Sequence, residues 1–118
     1  MQRADSEQYE MSPVHVAVEM DDLAQLTRLL HAGADPDEFD GHSGWTPLLR
    51  AIDGEADGAV QTGEPLEAAC TAVLLAYGAD PERPSRDGLS PLHLAFQIRH
   101  DLAVRLIEAH ITRRRSKE

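Results

Sequence analysis

Apolar residues recur at helical spacing along this chain, in short and long blocks that alternate. The short blocks are Val14, Ala17 and Val18, then Leu48, Ala51 and Ile52, then Leu92, Ala95 and Phe96. The clearest long block is Leu66, Ala69, Cys70, Val73, Leu74 and Tyr77, which marks one face of a helix opening with Pro65 in its first turn. Leu23, Leu26 and Leu30 form its counterpart before it, and Leu102, Leu106 and Ile107 the one after. The pattern predicts helices in pairs, one short and one longer, three times over.

Capping residues frame these blocks. Ser12-Pro13, Thr46-Pro47 and Ser90-Pro91 each place a hydroxyl and then a proline before a short block. That is an N-cap followed by a first-turn proline, whose missing N–H costs the helix nothing there. Gly33 and Gly78 stand where the longer helices should end, because glycine takes the left-handed closing conformation without strain. Asp40-Gly41, Ser43-Gly44 and Asp87-Gly88 mark turns between the units. The prolines lie 34 and 44 residues apart, and the longer spacing holds an extra segment, Gly54 to Glu64. Its glycines predict a loop emerging between the two helices of the middle unit.

The repeated words are "SPVHVAV", "TPLLRAI" and "SPLHLAF" at the starts, "LLHAGADP" and "LLAYGADP" at the ends. They resemble ankyrin repeats from about Ser12 to His110. The resemblance implies an all-α solenoid of stacked helix–turn–helix units joined by β-hairpin-like loops, with a concave binding face. It divides the chain into a lead-in at 1–11, repeats at about 12–45, 46–89 with the insertion 54–64, and 90–111, and a basic tail at 112–118. The sequence departs from the pattern in three places. Leu49 replaces the start-motif histidine of the middle unit, and Arg50 the aliphatic residue after it. The last unit has His110 and Ile111 where a closing glycine would stand. Three units is near the minimum for such an array, since each buries its apolar face only against neighbours.

Charge adds a direction. Residues 1–111 hold twenty acidic and seven basic residues, whereas the tail from Thr112 holds four bases and one acid. Between Glu19 and Glu67 twelve acids face only Arg28 and Arg50. Such a body repels nucleic-acid phosphates, which need cations to displace their counterions, and attracts a basic protein surface. No apolar run is long enough for a membrane helix. The opening "MQRADSEQYEM" does not read as a signal peptide. A single cysteine, Cys70, forms no internal disulfide. A cytoplasmic protein, monomeric when free, is the expectation. The tail Arg113–Arg115 is expected to be disordered.

Candidate chemistry is thin. His15 and His93 sit in the start motif, where the resemblance implies that the ring bonds the cap hydroxyl and neighbouring loop backbone. His31, His42, His100 and His110 show no paired metal-ligand spacing, and one cysteine makes no thiolate cluster. Ser12, Thr46 and Ser90 read as caps rather than nucleophiles. Cys70 lies on an apolar stripe and reads as a buried, inert thiol. The acidic run "DPDEFDG" fails the calcium-loop test: counted from Asp35, position 5 is Phe39, position 6 is Asp40 and position 12 is Thr46. No cofactor, metal or catalytic set is expected, and a metal-dependent hydrolase is the least favoured reading.

Recognition remains. The resemblance carries the partner surface to the loop tips at Asp37, Glu38, Phe39, Asp40, His42 and Arg86, to Trp45 and Leu89 just before the caps, and to Met20, Arg50, Asp53 and Gln97 on the first helices. Trp45 is the only tryptophan, a residue type enriched at binding hot spots. The expected function is non-catalytic binding or inhibition of a basic protein, for example as an immunity or antitoxin-type inhibitor of a toxin or nuclease. A general scaffold or adaptor is the alternative.

Overall fold

The structure, a computed structural model, describes residues 11–116. It holds six helices: α1 (Pro13–Glu19), α2 (Leu23–His31), α3 (Pro47–Thr62), α4 (Ala69–Ala76), α5 (Pro91–Gln97) and α6 (Asp101–Ser116). The described residues contain no strand, so the chain is all-α. Each helix packs against its pair-mate, and α1, α3 and α5 pack in succession, as do α2, α4 and α6. Two helical layers result. The core runs between them through Val14, Leu26, Leu48, Ile52, Leu74, Ala95 and Ile107, all nearly inaccessible to water.

The caps form as the sequence predicts. Ser12 Oγ accepts from His15 N–H (3.2 Å), Thr46 Oγ1 from Leu49 N–H (3.2 Å) and Ser90 Oγ from His93 N–H (3.1 Å). Each cap precedes a proline in the first turn. The links between units are tight loops rather than ladders. Asp40 N–H donates to Trp45 O (2.8 Å) and Ser85 N–H to Leu89 O (2.9 Å). Adjacent loops join where Arg86 N–H reaches Gly44 O (3.0 Å). Gly44 has φ +73°, and a Cβ there would lie 3.1 Å from that of Arg86, so both conformation and space call for glycine.

The inserted segment corrects the sequence reading. Residues 54–62 are not a loop but the last turns of α3, which closes at Gly63 in a left-handed cap (φ 72°). Each helical glycine costs about 1 kcal/mol relative to alanine. Here docking outweighs that cost. Ala56 is buried, and Asp57 accepts from the Gln61 side chain one turn on (3.0 Å). Above all, Glu55 turns inward. Its Oε1 accepts from Thr71 Oγ1–H (2.7 Å) and its Oε2 from Thr71 N–H (3.1 Å). Oε1 also meets His100 Nε2 at 2.8 Å. His100 Nδ1 accepts the Ala103 N–H (3.3 Å), so the ring's proton sits on Nε2 and points at Glu55.

Glu55 thereby serves two helix starts. Residue 68, at the N-cap of α4, is an alanine with no side-chain cap; Glu67 Oε1 accepts the Ala69 N–H (3.0 Å), and the Glu55 carboxylate, 16 residues before Thr71, accepts the Thr71 N–H. The helix α4 begins at Ala69, later than predicted, leaving Pro65 and Leu66 in the approach to it. Its buried residues include Thr71 and Leu75, while Tyr77 is exposed. The stripe predicted from Leu66 to Tyr77 is thus shifted, because Thr71 must face Glu55.

The tail also differs from expectation. With His110 in place of a closing glycine, α6 continues through Arg113, Arg114 and Arg115 to Ser116. Arg114 Nη1 bonds Asp80 Oδ1 (2.7 Å) and Arg115 Nη2 lies 3.4 Å from Glu82 Oε2, pinning the basic turn to the second loop. Residues 1–10 of the 1–11 lead-in and the last two residues lie outside the described residues.

Where the short helices turn into the long ones, Asp21 (φ 55°) and Arg99 (φ 61°) adopt the left-handed conformation. Both follow their unit's proline by eight positions, the place that Glu55 holds in the middle unit. Left-handed backbone strains residues with a Cβ. We expect Arg99→Gly to raise stability by up to about 1 kcal/mol in urea unfolding; a loss would mean that the turn is unstrained. We expect Glu55→Ala to cost about 3 kcal/mol in the same assay, since it strands buried donors on Thr71 and His100. A cost below about 1 kcal/mol, typical of a surface residue, would refute the internal cap.

Candidate functional site

Two surfaces carry the residues singled out in the sequence. The first is the pair of loops. Asp37 is half-buried, and its Oδ1 accepts the Asp80 N–H of the next loop (2.9 Å). Burial raises its pKa, and the nearby Asp80 and Asp35 charges add to that. Phe39 is held between two cations, with the Arg83 guanidinium 4.4 Å and that of Arg86 5.4 Å from its ring centre. Glu38 and His42 are exposed. Leu89 is half-buried against the core.

Asp40 is different. Only 2% of it is exposed, so it offers a partner almost nothing. Its oxygens accept from His42 N–H (3.0 Å), Ser43 Oγ–H (2.9 Å) and Arg50 Nη2 (3.2 Å). Burial alone would raise its pKa, but these hydrogen bonds and the charges of His15 and Arg50 hold it below the ordinary value. Its placement at an open tip is corrected: the carboxylate locks the loop and anchors Arg50.

Trp45 is half-buried and packed against the core. Its carbonyl accepts from His15 Nε2–H (2.9 Å), while His15 Nδ1 takes the Ser12 hydroxyl (2.7 Å). The start-motif expectation therefore holds for His15, which ties the first unit to the loop after it. At His93 the ring is exposed and only the backbone N–H engages Ser90.

The second surface is built by the first helices and the extended α3. Arg50 lies 5.7 Å from the Trp45 ring centre and 3.6 Å from Glu19. Beside it, burial and the neighbouring Asp57 raise the pKa of Asp53. Met20 stands 71% exposed, and Gln97 is exposed farther along. Between α3 and the first unit opens a cleft of about 530 Å³, lined by Glu19, Asp21, Glu55, Asp57, Glu64 and Glu67, with Arg50 as the basic residue among them. Cys70 borders it, its thiol pKa pushed up to about 12 by burial and by the Glu55 and Asp21 charges, so the thiol is inert. The structure gathers Glu19, Met20, Arg50 and Asp53 here and leaves Phe39, Arg83 and Arg86 as a separate cluster.

The cleft escaped the sequence reading. Asp57 and Glu64 belong to a segment whose glycines predicted a loop, and a loop gives no wall. Among the described residues, no three of histidine, cysteine, aspartate or glutamate come together as a metal-binding group. No helix there is long and apolar enough to cross a membrane.

Comparison with known proteins gives the family. The ankyrin repeat model matches residues 9–41. A solved ankyrin repeat domain from Acinetobacter baumannii superposes with a TM-score of 0.71 at 26% identity, covering 86% of this chain and 48% of that one. The chain is built from ankyrin repeats. Among curated proteins it is 35% identical over 96 residues to the human ARF GTPase-activating protein GIT1, covering 80% of this chain and 11% of that protein. It is 34% identical over 80 residues to the mouse 2-5A-dependent ribonuclease, covering 67% of this chain and 9% of that one. The chain thus spans about a tenth of the curated relatives it matches. Ankyrin repeats are protein-interaction modules, and the fold is in general a non-catalytic binding scaffold.

His15 gives a pH prediction. Burial lowers its pKa from the ordinary 6.5. As pH falls below about 6.5 the unfolded chain takes a proton that the folded chain does not, so this ankyrin array loses stability in acid by at most about 1.4 kcal/mol per pH unit. The stability advantage of the wild type over His15→Gln is expected to shrink between pH 7 and pH 5 in urea titrations. An advantage that stays constant would show that His15 does not titrate differently in the two states.

Proposed function

We propose that this chain is a non-catalytic module that binds a protein partner presenting a basic surface. The observation that carries the reading is the cleft beside α3, whose lining holds six carboxylates and one arginine. Asp57 in its lining repels Asp53 one turn away on α3, and an incoming lysine or arginine relieves that repulsion. Exposed Met20, and Val60 at 82% exposure on the extended helix, supply apolar contact beside the charge. The finer reading is an inhibitor of the immunity or antitoxin type, covering the basic cleft of a toxin or nuclease in the cytoplasm. Net charge supports it.

An adaptor role is the second reading, favoured by the Phe39, Arg83 and Arg86 cluster on the loops. The two separate by titration of a partner captured from the source cells and identified by mass spectrometry. If the cleft binds, the triple variant Asp53→Asn, Asp57→Asn, Glu67→Gln weakens binding at least about tenfold, and added salt weakens the wild type. Affinity untouched by both changes, and lost instead with Phe39→Ala, moves the contact to the loops and overturns the cleft reading.

A further inference from the structure

Glu55 belongs to two places at once. It lines the acidic cleft together with Glu19, Asp21, Asp57, Glu64 and Glu67. Its side chain is only 5% exposed, and it is bonded by His100, which is fully buried. Oε1 takes the His100 Nε2–H at 2.8 Å and the Thr71 hydroxyl at 2.7 Å, and Oε2 takes the Thr71 N–H. One carboxylate is thus shared between the cleft and the turn from α5 into α6. A neutral ring gives Glu55 a hydrogen bond and leaves its negative charge intact. A second proton on the ring stands on Nδ1, where the Ala103 N–H now donates (3.3 Å), and sets a full positive charge against Glu55. A cation in the cleft and a second proton on His100 therefore compete for the same carboxylate.

The other charged groups around Glu55 do not duplicate this. Glu19 and Asp21 come from the end of α1 and the turn after it, Arg50 and Asp57 from α3, and Glu64, Glu67 and Cys70 from the approach to α4 and its first turn. Arg99 and Asp101 flank His100 in the chain and are exposed. Carboxylates ordinarily titrate near about 4 and arginine above about 12. Burial and the neighbouring carboxylates push the Cys70 thiol up to about 12. Among these side chains, histidine is the type that ordinarily changes charge between about pH 5 and 8. We infer that the proton on His100 regulates the cleft, which holds a basic group while the ring is neutral and releases it as the ring is protonated. This rests on the cleft being the binding site and names what controls it. By reciprocity, a basic ligand in the cleft opposes protonation of His100.

Titration of the 118-residue chain with acetylated tetralysine amide tests this in low salt, at about pH 7.5 and about pH 5.5, where lysine keeps its charge. Amide NMR shifts of residues 56–61 read binding at the cleft. Between the two pH values the wild type should lose at least about fivefold more affinity than His100→Asn. Asparagine at this position can still accept the Ala103 N–H as a helix cap, and circular dichroism verifies that the variant is folded. The other five histidines change the overall charge equally in both proteins. The wild type alone gives a second reading: its His100 ring signal should titrate at lower pH with the peptide than without it. Equal pH dependence in the two proteins, or a ring titration that the peptide leaves unmoved, would overturn the inference and leave the cleft standing. A peptide that leaves residues 56–61 unmoved at both pH values would remove the cleft reading, and the inference with it.

Discussion

Glu55 is a carboxylate placed where water barely reaches, and its neighbours are arranged around that fact. A buried charge without partners is prohibitively costly, so its oxygens are filled by Thr71 and His100. Those partners belong to the starts of α4 and α6, and α4 has no cap of its own. One side chain on the extended helix therefore fixes where two other helices begin. It also docks the extension that walls the acidic cleft. Without this bond set, the inserted segment would have little reason to be helical.

Stacking supplies the rest of the order. No helix pair here encloses its own apolar face, so each relies on a neighbour, as repeat arrays do. Small polar bonds keep the units in register. His15 reaches the Trp45 carbonyl, Asp37 the Asp80 amide and Arg86 the Gly44 carbonyl. Acidic residues that looked like surface decoration are divided between two tasks. Asp37, Asp40 and Asp80 hold loops together. Glu19, Asp57 and Glu67 are left to face solvent at the cleft.

The sequence made the stack legible because capping and helical spacing are local. Ser12-Pro13, Thr46-Pro47, Ser90-Pro91, Gly33 and Gly78 each announce a helix end within a few residues. What it hid was non-local. Gly54 and Gly58 argue against helix, and only the pairing of Glu55 with residues 16 and 45 positions away reverses that. His100 looked unattached for the same reason. Asp40 looked like part of an acidic tip because nothing nearby in sequence says that Arg50 folds back over it. The tail read as disordered because its own composition is basic, whereas its helix is held by Asp80 and Glu82 on a distant loop.

The extension of α3 is a docked helix and the fixed wall of a cleft. Native-state hydrogen exchange of the amides of residues 56–61 measures that directly. Protection comparable to that of Ala51 and Ile52 in the buried half of the same helix is expected, because docking through Glu55 makes the extension part of one cooperative unit. Exchange at the rate of an unstructured segment would contradict it, and with it the wall of the cleft.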